Sequence, residues 1–174
     1  GLSQEIGYEC YIKNKIFIDL GADFRLNDEN LYIEWYKGEY LHKEIHDIAV
    51  YGLPELYRDK IKTAKIIANP GCYPTSVALG LYPALINNII DVNDIIIDSK
   101  SGVTGAGKGL SQKTHYPDCN EAFSPYSIGV HRHTPEIEQT LSQIADKNIK
   151  VTFVPHLLPL NRGIVSTIYG CSKE

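Results

Sequence analysis

The chain has 174 residues, with 17 Lys and Arg against 21 Asp and Glu and a net charge of -4. That balance argues against nonspecific nucleic-acid binding, which needs a basic face to meet phosphate. No apolar run approaches the roughly 18 residues of a bilayer-crossing helix, so no membrane span or membrane partner is expected.

No secretory signal pattern opens the chain. Cys10, Cys72, Cys119 and Cys171 lie far apart with no C-x-x-C pair. This spacing fits free thiols in a reducing, cytoplasmic setting rather than a disulfide frame or a metal site. Methionine is absent and the first residue is Gly1, so a truncated segment of a longer protein is expected.

Residues 1–14 read as a short helix with Leu2, Ile6 and Cys10 on one side. Lys15 to Leu20 reads as a strand apolar enough to be buried on both faces, as in a parallel sheet. Gly21 to Leu26 is the loop at its C-terminal end, where ligand sites of open α/β sheets collect. Arg25 in that loop is either an anion holder or a surface ion-pair partner. Asp28 to Leu41 is an aromatic-rich helical stretch whose rings are expected to pack together. Val50 to Leu56 is a turn into a short helix.

Ala64 to Ala68 is a strand, broken by Pro70 and Gly71. An apolar helix follows, its first turn suited by Pro74, Thr75 and Ser76. Cys72 thus stands where a strand hands over to a helix N-terminus, whose unpaired N–H groups and dipole favour a negative charge. Such a thiol is expected to be largely thiolate at neutral pH, and Gly71 leaves room for a close approach. The alternative is a buried structural cysteine.

Asp94 to Ser99 is a strand of β-branched residues. It runs into Ser101-Gly102-Val103-Thr104-Gly105-Ala106-Gly107-Lys108-Gly109, which is either a backbone cradle for a ligand or a flexible loop. The spacing is neither a P-loop nor a dinucleotide fingerprint. Leu110 to Ile128 is long and irregular, a length usually found in functional or disordered loops. Thr134 suits an N-cap and Pro135 a first helical residue. His131 and His133 come just before that helix. In an extended approach they would alternate in direction, so only one would face a site. In a chain that also carries a candidate thiolate, the His-Arg-His run before a helix raises the prospect of acid/base work. Lys150 to Val154 and Gly163 to Tyr169 are two further strands.

Several stretches together resemble N-acetyl-gamma-glutamyl-phosphate reductase. They are Asp19 to Arg25, Tyr51 to Glu55, the Asn-Pro-Gly-Cys-Tyr-Pro-Thr block at residues 69–75, Ser101 to Gly107, the His-Arg-His-Thr-Pro-Glu-Ile-Glu block at 131–138, and Pro155 to Gly163. The resemblance implies an α/β fold of glyceraldehyde-3-phosphate-dehydrogenase type. Residues 1–71 would be the remnant of an NADP-binding sheet, and 72–174 an α+β catalytic and dimerisation domain with a mixed sheet. It implies a cytoplasmic homo-oligomer, dimer or tetramer, with a small acyl phosphate as substrate and NADPH as cofactor.

The implied chemistry is attack of Cys72 on the acyl phosphate, loss of phosphate, and reduction of the thioester to a semialdehyde. His131 would be the acid/base and His133 the less favoured choice. Arg25, His133 and Asn69 would bind substrate, with Arg25 gripping phosphate through a bidentate guanidinium. Ser101, Gly102, Gly105 and Gly107 would lie by the nicotinamide. Two departures stand out. The Gly-rich nucleotide-binding start and the C-terminal helix are missing, and Gly21 replaces a common Ser. This chain is therefore expected to bind NADPH weakly or not at all. Rival readings are a non-catalytic dimerisation module, a cofactor-free thiol hydrolase using Cys72 and His131, and the same chemistry on aspartyl or aminoadipyl phosphate.

Overall fold

A computed structural model describes residues 2–173. They form two compact units, the first ending at Gly71 and the second beginning at Cys72.

The first unit contains helix α1 (Leu2–Ile12), strand β1 (Phe17–Asp19), helices α2 (Glu29–Tyr36) and α3 (Lys43–Asp47), strand β2 (Val50–Tyr51), helix α4 (Pro54–Ile61) and strand β3 (Ile66–Ala68). The strands are parallel in the order β1-β3-β2. A parallel sheet was expected from the apolar runs, but β2 forms where only a turn was read. Phe24, Ile45, Ile66 and Ala68 make the core. Helix α2 is capped by Asp28, whose carboxylate accepts from the Asn30 N–H at 2.8 Å. Its aromatics do pack: Tyr32 lies 5.4 Å from Tyr36. Farther along the chain, Tyr40 stacks at 3.6 Å on His46.

Two expectations fail in this unit. Strand β1 is not buried on both faces: Ile16, Ile18 and Leu20 are exposed, Ile18 by 57%. A short apolar run does not by itself reveal how many faces are covered. On α1, Leu2 and Ile6 point to solvent, while Gln4 and Gly7 are buried. Gly7 lets the helix approach Phe17 and Phe24 so closely that a Cβ would sit 3.1 Å from the Phe24 ring. The buried Gln4 amide donates to the Glu39 carbonyl at 3.0 Å and accepts from the Leu41 N–H at 2.8 Å. Backbone hydrogen bonding, not an apolar stripe, therefore fixes the inward face of α1.

The second unit contains helix α5 (Cys72–Ile86), strand β4 (Ile95–Gly102), helix α6 (Tyr116–Cys119), strand β5 (Ser124–Pro125), helix α7 (Thr134–Ala145) and strands β6 (Val151–Leu158) and β7 (Ile164–Tyr169). Its sheet is mixed, in the order β5-β6-β4-β7, with β4 and β6 parallel and both edge strands antiparallel. Helices α5 and α7 cover one face. Val77 and Leu81 of α5 and Ile137 and Leu141 of α7 pack on Ile95, Ile97 and Phe153 of the sheet. A half-buried hydroxyl chain crosses this layer: Ser166 Oγ lies 2.5 Å from Ser76 Oγ and 2.7 Å from the buried Ser99 Oγ.

The opposite face of the sheet is open. Ile96, Val165 and Tyr169 are exposed there, paired across strands β4 and β7. Between them Lys100 Nζ lies 2.5 Å from Asp98, and His156 Nδ1 approaches the same carboxylate at 3.1 Å.

Both central strands run longer than their sequence suggested. Strand β4 continues past Ser99 to Gly102, and β6 continues through Pro155 and His156 to Leu158. Pro155 cannot donate, but its carbonyl accepts the Tyr126 N–H at 3.0 Å, so proline costs the ladder only its missing donor. Among the described residues no helix is long and apolar enough to cross a membrane.

Candidate active site

Cys72 is the first residue of α5 and is exposed. Strand β3 ends at Ala68, and Asn69-Pro70-Gly71 makes the turn. The sulfur therefore stands at a helix N-terminus, where orphan N–H groups favour an anion. The buried-cysteine alternative does not hold.

Within the second unit, Cys72 borders a cavity of about 960 Å³ together with Tyr73, Ser101, Gly105, His131 and His133. Tyr73 is 2% exposed and presents ring edges to His131 at 5.6 Å and His133 at 6.0 Å. Its hydroxyl lies 2.9 Å from that of Tyr126, whose ring is 5.5 Å from His131. Burial pushes both phenols above their ordinary range. Phe153 closes the far side of His131 at 5.3 Å.

The two histidines face the same cavity. The chain turns between them, because His133 has helical φ -80° and ψ -12°, and the rings approach to 4.9 Å. The expectation that only one would face the site assumed an extended approach. Helix α7 also starts one residue early: His133 occupies the N-cap and Thr134 is already helical, its N–H donating to the His131 carbonyl at 2.8 Å. Burial, and then the neighbouring Arg132 charge, hold His131 down at about 4. Its ring is neutral at pH 7, and its Nδ1 accepts the His133 backbone N–H at 3.1 Å.

The Gly-rich segment divides by role. Ser101 is buried at 5% exposure and donates to the Gly102 carbonyl at 3.0 Å. Gly102 lies against residue 162, where a Cβ would come within 2.7 Å of the Arg162 backbone nitrogen. Its lack of a side chain thus serves strand packing, not ligand approach. Gly107 takes φ +82° and borders a separate exposed depression with Lys108 and Tyr116.

Arg25 and Asn69 meet in the first unit. Arg25 is 7% exposed, so it does not lie at the surface. Its Nε donates to the Asn69 carbonyl at 2.8 Å and Nη2 to the Leu20 carbonyl at 3.2 Å. It ties together the chain ends that leave β1 and β3. Asp19 is buried beside Gly21, whose N–H it accepts at 2.8 Å. A Cβ on Gly21 would meet that carboxylate at 3.0 Å, so a serine there needs a local shift.

Sequence reasoning missed Tyr73 and Tyr126 as site residues. Tyr73 was signalled by adjacency to Cys72. Tyr126 carries no local signal, because it comes from a distant loop. Among the described residues, no group of three or more His, Cys, Asp or Glu is placed to hold a metal.

The family model described as "Semialdehyde dehydrogenase, dimerisation domain" matches residues 72–174. The chain belongs to the semialdehyde dehydrogenase family. Curated relatives in this family are named N-acetyl-gamma-glutamyl-phosphate reductase, in line with the resemblance drawn from the motifs. The protein of Brachyspira hyodysenteriae is 61% identical over 98% of this chain and 50% of its own length. That of Clostridium beijerinckii is 59% identical over 100% of this chain and 51% of its own. That of Desulforamulus reducens is 55% identical over 98% and 49%. The chain thus spans about half the length of the curated relatives it matches. Among solved structures, aspartate semialdehyde dehydrogenase II of Vibrio cholerae aligns with a TM-score of 0.52 at 16% identity, covering 74% of this chain and 45% of that one. That likeness supports the α/β architecture of this semialdehyde dehydrogenase family member.

Proposed function

We propose that this chain carries the thiol and proton-handling half of an enzyme that converts N-acetyl-gamma-glutamyl phosphate to the semialdehyde in arginine biosynthesis. The observation that carries the reading is an exposed Cys72 at a helix N-terminus, sharing one cavity with His131 and His133. The names of relatives at 49–61% identity support the choice of substrate.

The Cys72 thiolate attacks the acyl carbon, a C–S bond forms, and the C–O bond to phosphate breaks with its electron pair leaving on phosphate. The imidazoles supply hydrogen bonds and protons to the oxygens of the tetrahedral species. A cavity of about 960 Å³ lies at the upper end of ligand-site volumes and has room for an acyl phosphate beside a ring. NADPH, when bound, supplies the hydride that reduces the acyl carbon. Ser101 and Gly105, on the cavity wall, would border its nicotinamide end. Gly102, closed by the Arg162 backbone, would act only through packing. As C–S breaks, Cys72 returns as thiolate and the aldehyde leaves. Residues up to Gly71 would belong to the NADP-binding domain. Arg25, held by backbone carbonyls, would order the loop after β1 as well as bind anions.

The family description as a dimerisation domain supports a homo-oligomer, and the exposed apolar residues Ile96, Val165 and Tyr169 make the open sheet face the interface we propose. The test of the chemistry is intact-mass analysis after exposure to an acyl phosphate. A stable acyl adduct on Cys72 with one phosphate released supports the reading. Catalytic phosphate release with no adduct and no NADPH dependence favours a thiol hydrolase instead.

A further inference from the structure

The geometry points to His131 as a fixed, neutral Nε2–H donor that steadies the oxygen of the tetrahedral species, leaving proton transfer to His133. The inference rests on the thiol-chemistry reading above and divides its two imidazoles.

A backbone amide can only donate. The His133 N–H directed at His131 Nδ1 across 3.1 Å therefore requires that nitrogen to offer its lone pair. A neutral imidazole with an accepting Nδ1 carries its proton on Nε2. Protonating Nδ1 would set two N–H groups against each other. The ring cannot take a proton at Nδ1, which is engaged, or at Nε2, which already holds one. It is thus unsuited to be the base for Cys72 or a cationic acid. What it retains is one N–H on a ring that borders the cavity holding Cys72.

The surroundings hold the ring in this state. Tyr73, Tyr126, His133 and Phe153 contact it edge-on, with centroids 4.9–5.6 Å away. None of these groups is an anion that would favour a second proton. Burial and the neighbouring Arg132 cation both disfavour imidazolium, while a Cys72 thiolate on the same cavity wall would act in the opposite sense. The resemblance gave His131 the acid/base role; the hydrogen bond reassigns it. A donor aimed at a developing oxyanion is worth about 10²–10³ in rate.

The test is nitrogen-15 NMR of the histidine rings in the chain itself, which requires neither substrate nor NADPH. His131 is expected to show a protonated Nε2 and an unprotonated Nδ1, unchanged from pH 5.5 to 8. The resonance pair is assigned by its loss in His131→Gln or, if that variant does not fold, by correlation to the backbone of the wild-type chain. A protonated Nδ1, or a midpoint near pH 6.5, overturns the inference even if Cys72 acylates. Failure of Cys72 to acylate while the tautomer is as expected sinks the thiol chemistry and leaves the ring assignment standing. A second readout is rescue: with acetyl phosphate as acyl donor, His131→Gln, which keeps an N–H, should acylate Cys72 at least 10-fold faster than His131→Ala. Equal rates for the two variants would also overturn the donor role.

Discussion

The hydroxyls of Tyr73 and Tyr126 meet at 2.9 Å, joining the residue after Cys72 to a loop more than fifty positions away. The contact closes the aromatic wall around His131. Tyr126→Phe should leave the fold intact and destabilise it by about 0.5–1.5 kcal/mol, the usual worth of one hydrogen bond. Urea unfolding of the two proteins checks this. A larger loss would mean that Tyr126 does more than close the wall.

Cys72 is exposed, so Cys72→Ser should change stability by less than about 0.5 kcal/mol, as surface substitutions do. It should abolish acylation by an acyl phosphate. Intact mass and thermal melting, run side by side, separate the two effects.

His46 is held down at about 4 by burial, against an ordinary value of 6.5. The unfolded chain therefore takes up a proton at a higher pH than the folded one. His46 contributes stability above pH 6.5 that is lost as pH falls toward 4. The Tm of the first unit should drop across that window, and His46→Gln should flatten the slope. Tyr40 gives the mirror case. Burial, with Glu29 and other acids nearby, pushes it up to about 12. Its contribution is complete below pH 10 and is lost as pH rises through 10 to 12.

Binding of NADPH to this chain should be weak, because none of its turns carries the G-x-G-x-x-G pattern that cradles a pyrophosphate. Isothermal titration should find no heat change saturating at micromolar ligand. A micromolar Kd would refute the expectation.

Ile96 and Val165 are exposed on the open sheet face. Replacing both with Asp should lower self-association without unfolding the helical face. Sedimentation velocity reads the outcome, and unchanged association would place the interface elsewhere.

The strand-to-helix turn at Cys72 was legible because Pro70, Gly71 and Pro74 act locally. So was the parallel character of the first sheet. The joint presentation of His131 and His133 was not, because it depends on one backbone angle at residue 133 that the residue types do not dictate. The true ends of β4 and β6 were hidden for a related reason. Ser101, Gly102 and Pro155 are poor strand formers, and the register with neighbouring strands overrides them. Gly102 looked like ligand space because a glycine reads the same whether a cofactor or a neighbouring backbone requires it.

The parallel pairing of Ile95 with Val151 has a kinetic corollary. The two middle strands of the second unit's sheet meet only after a connection of about fifty residues has closed, and chain entropy opposes that closure. Refolding of this unit should wait on that one encounter. Cys72 and the rings that share its cavity would be brought together late, once the two strands have found each other.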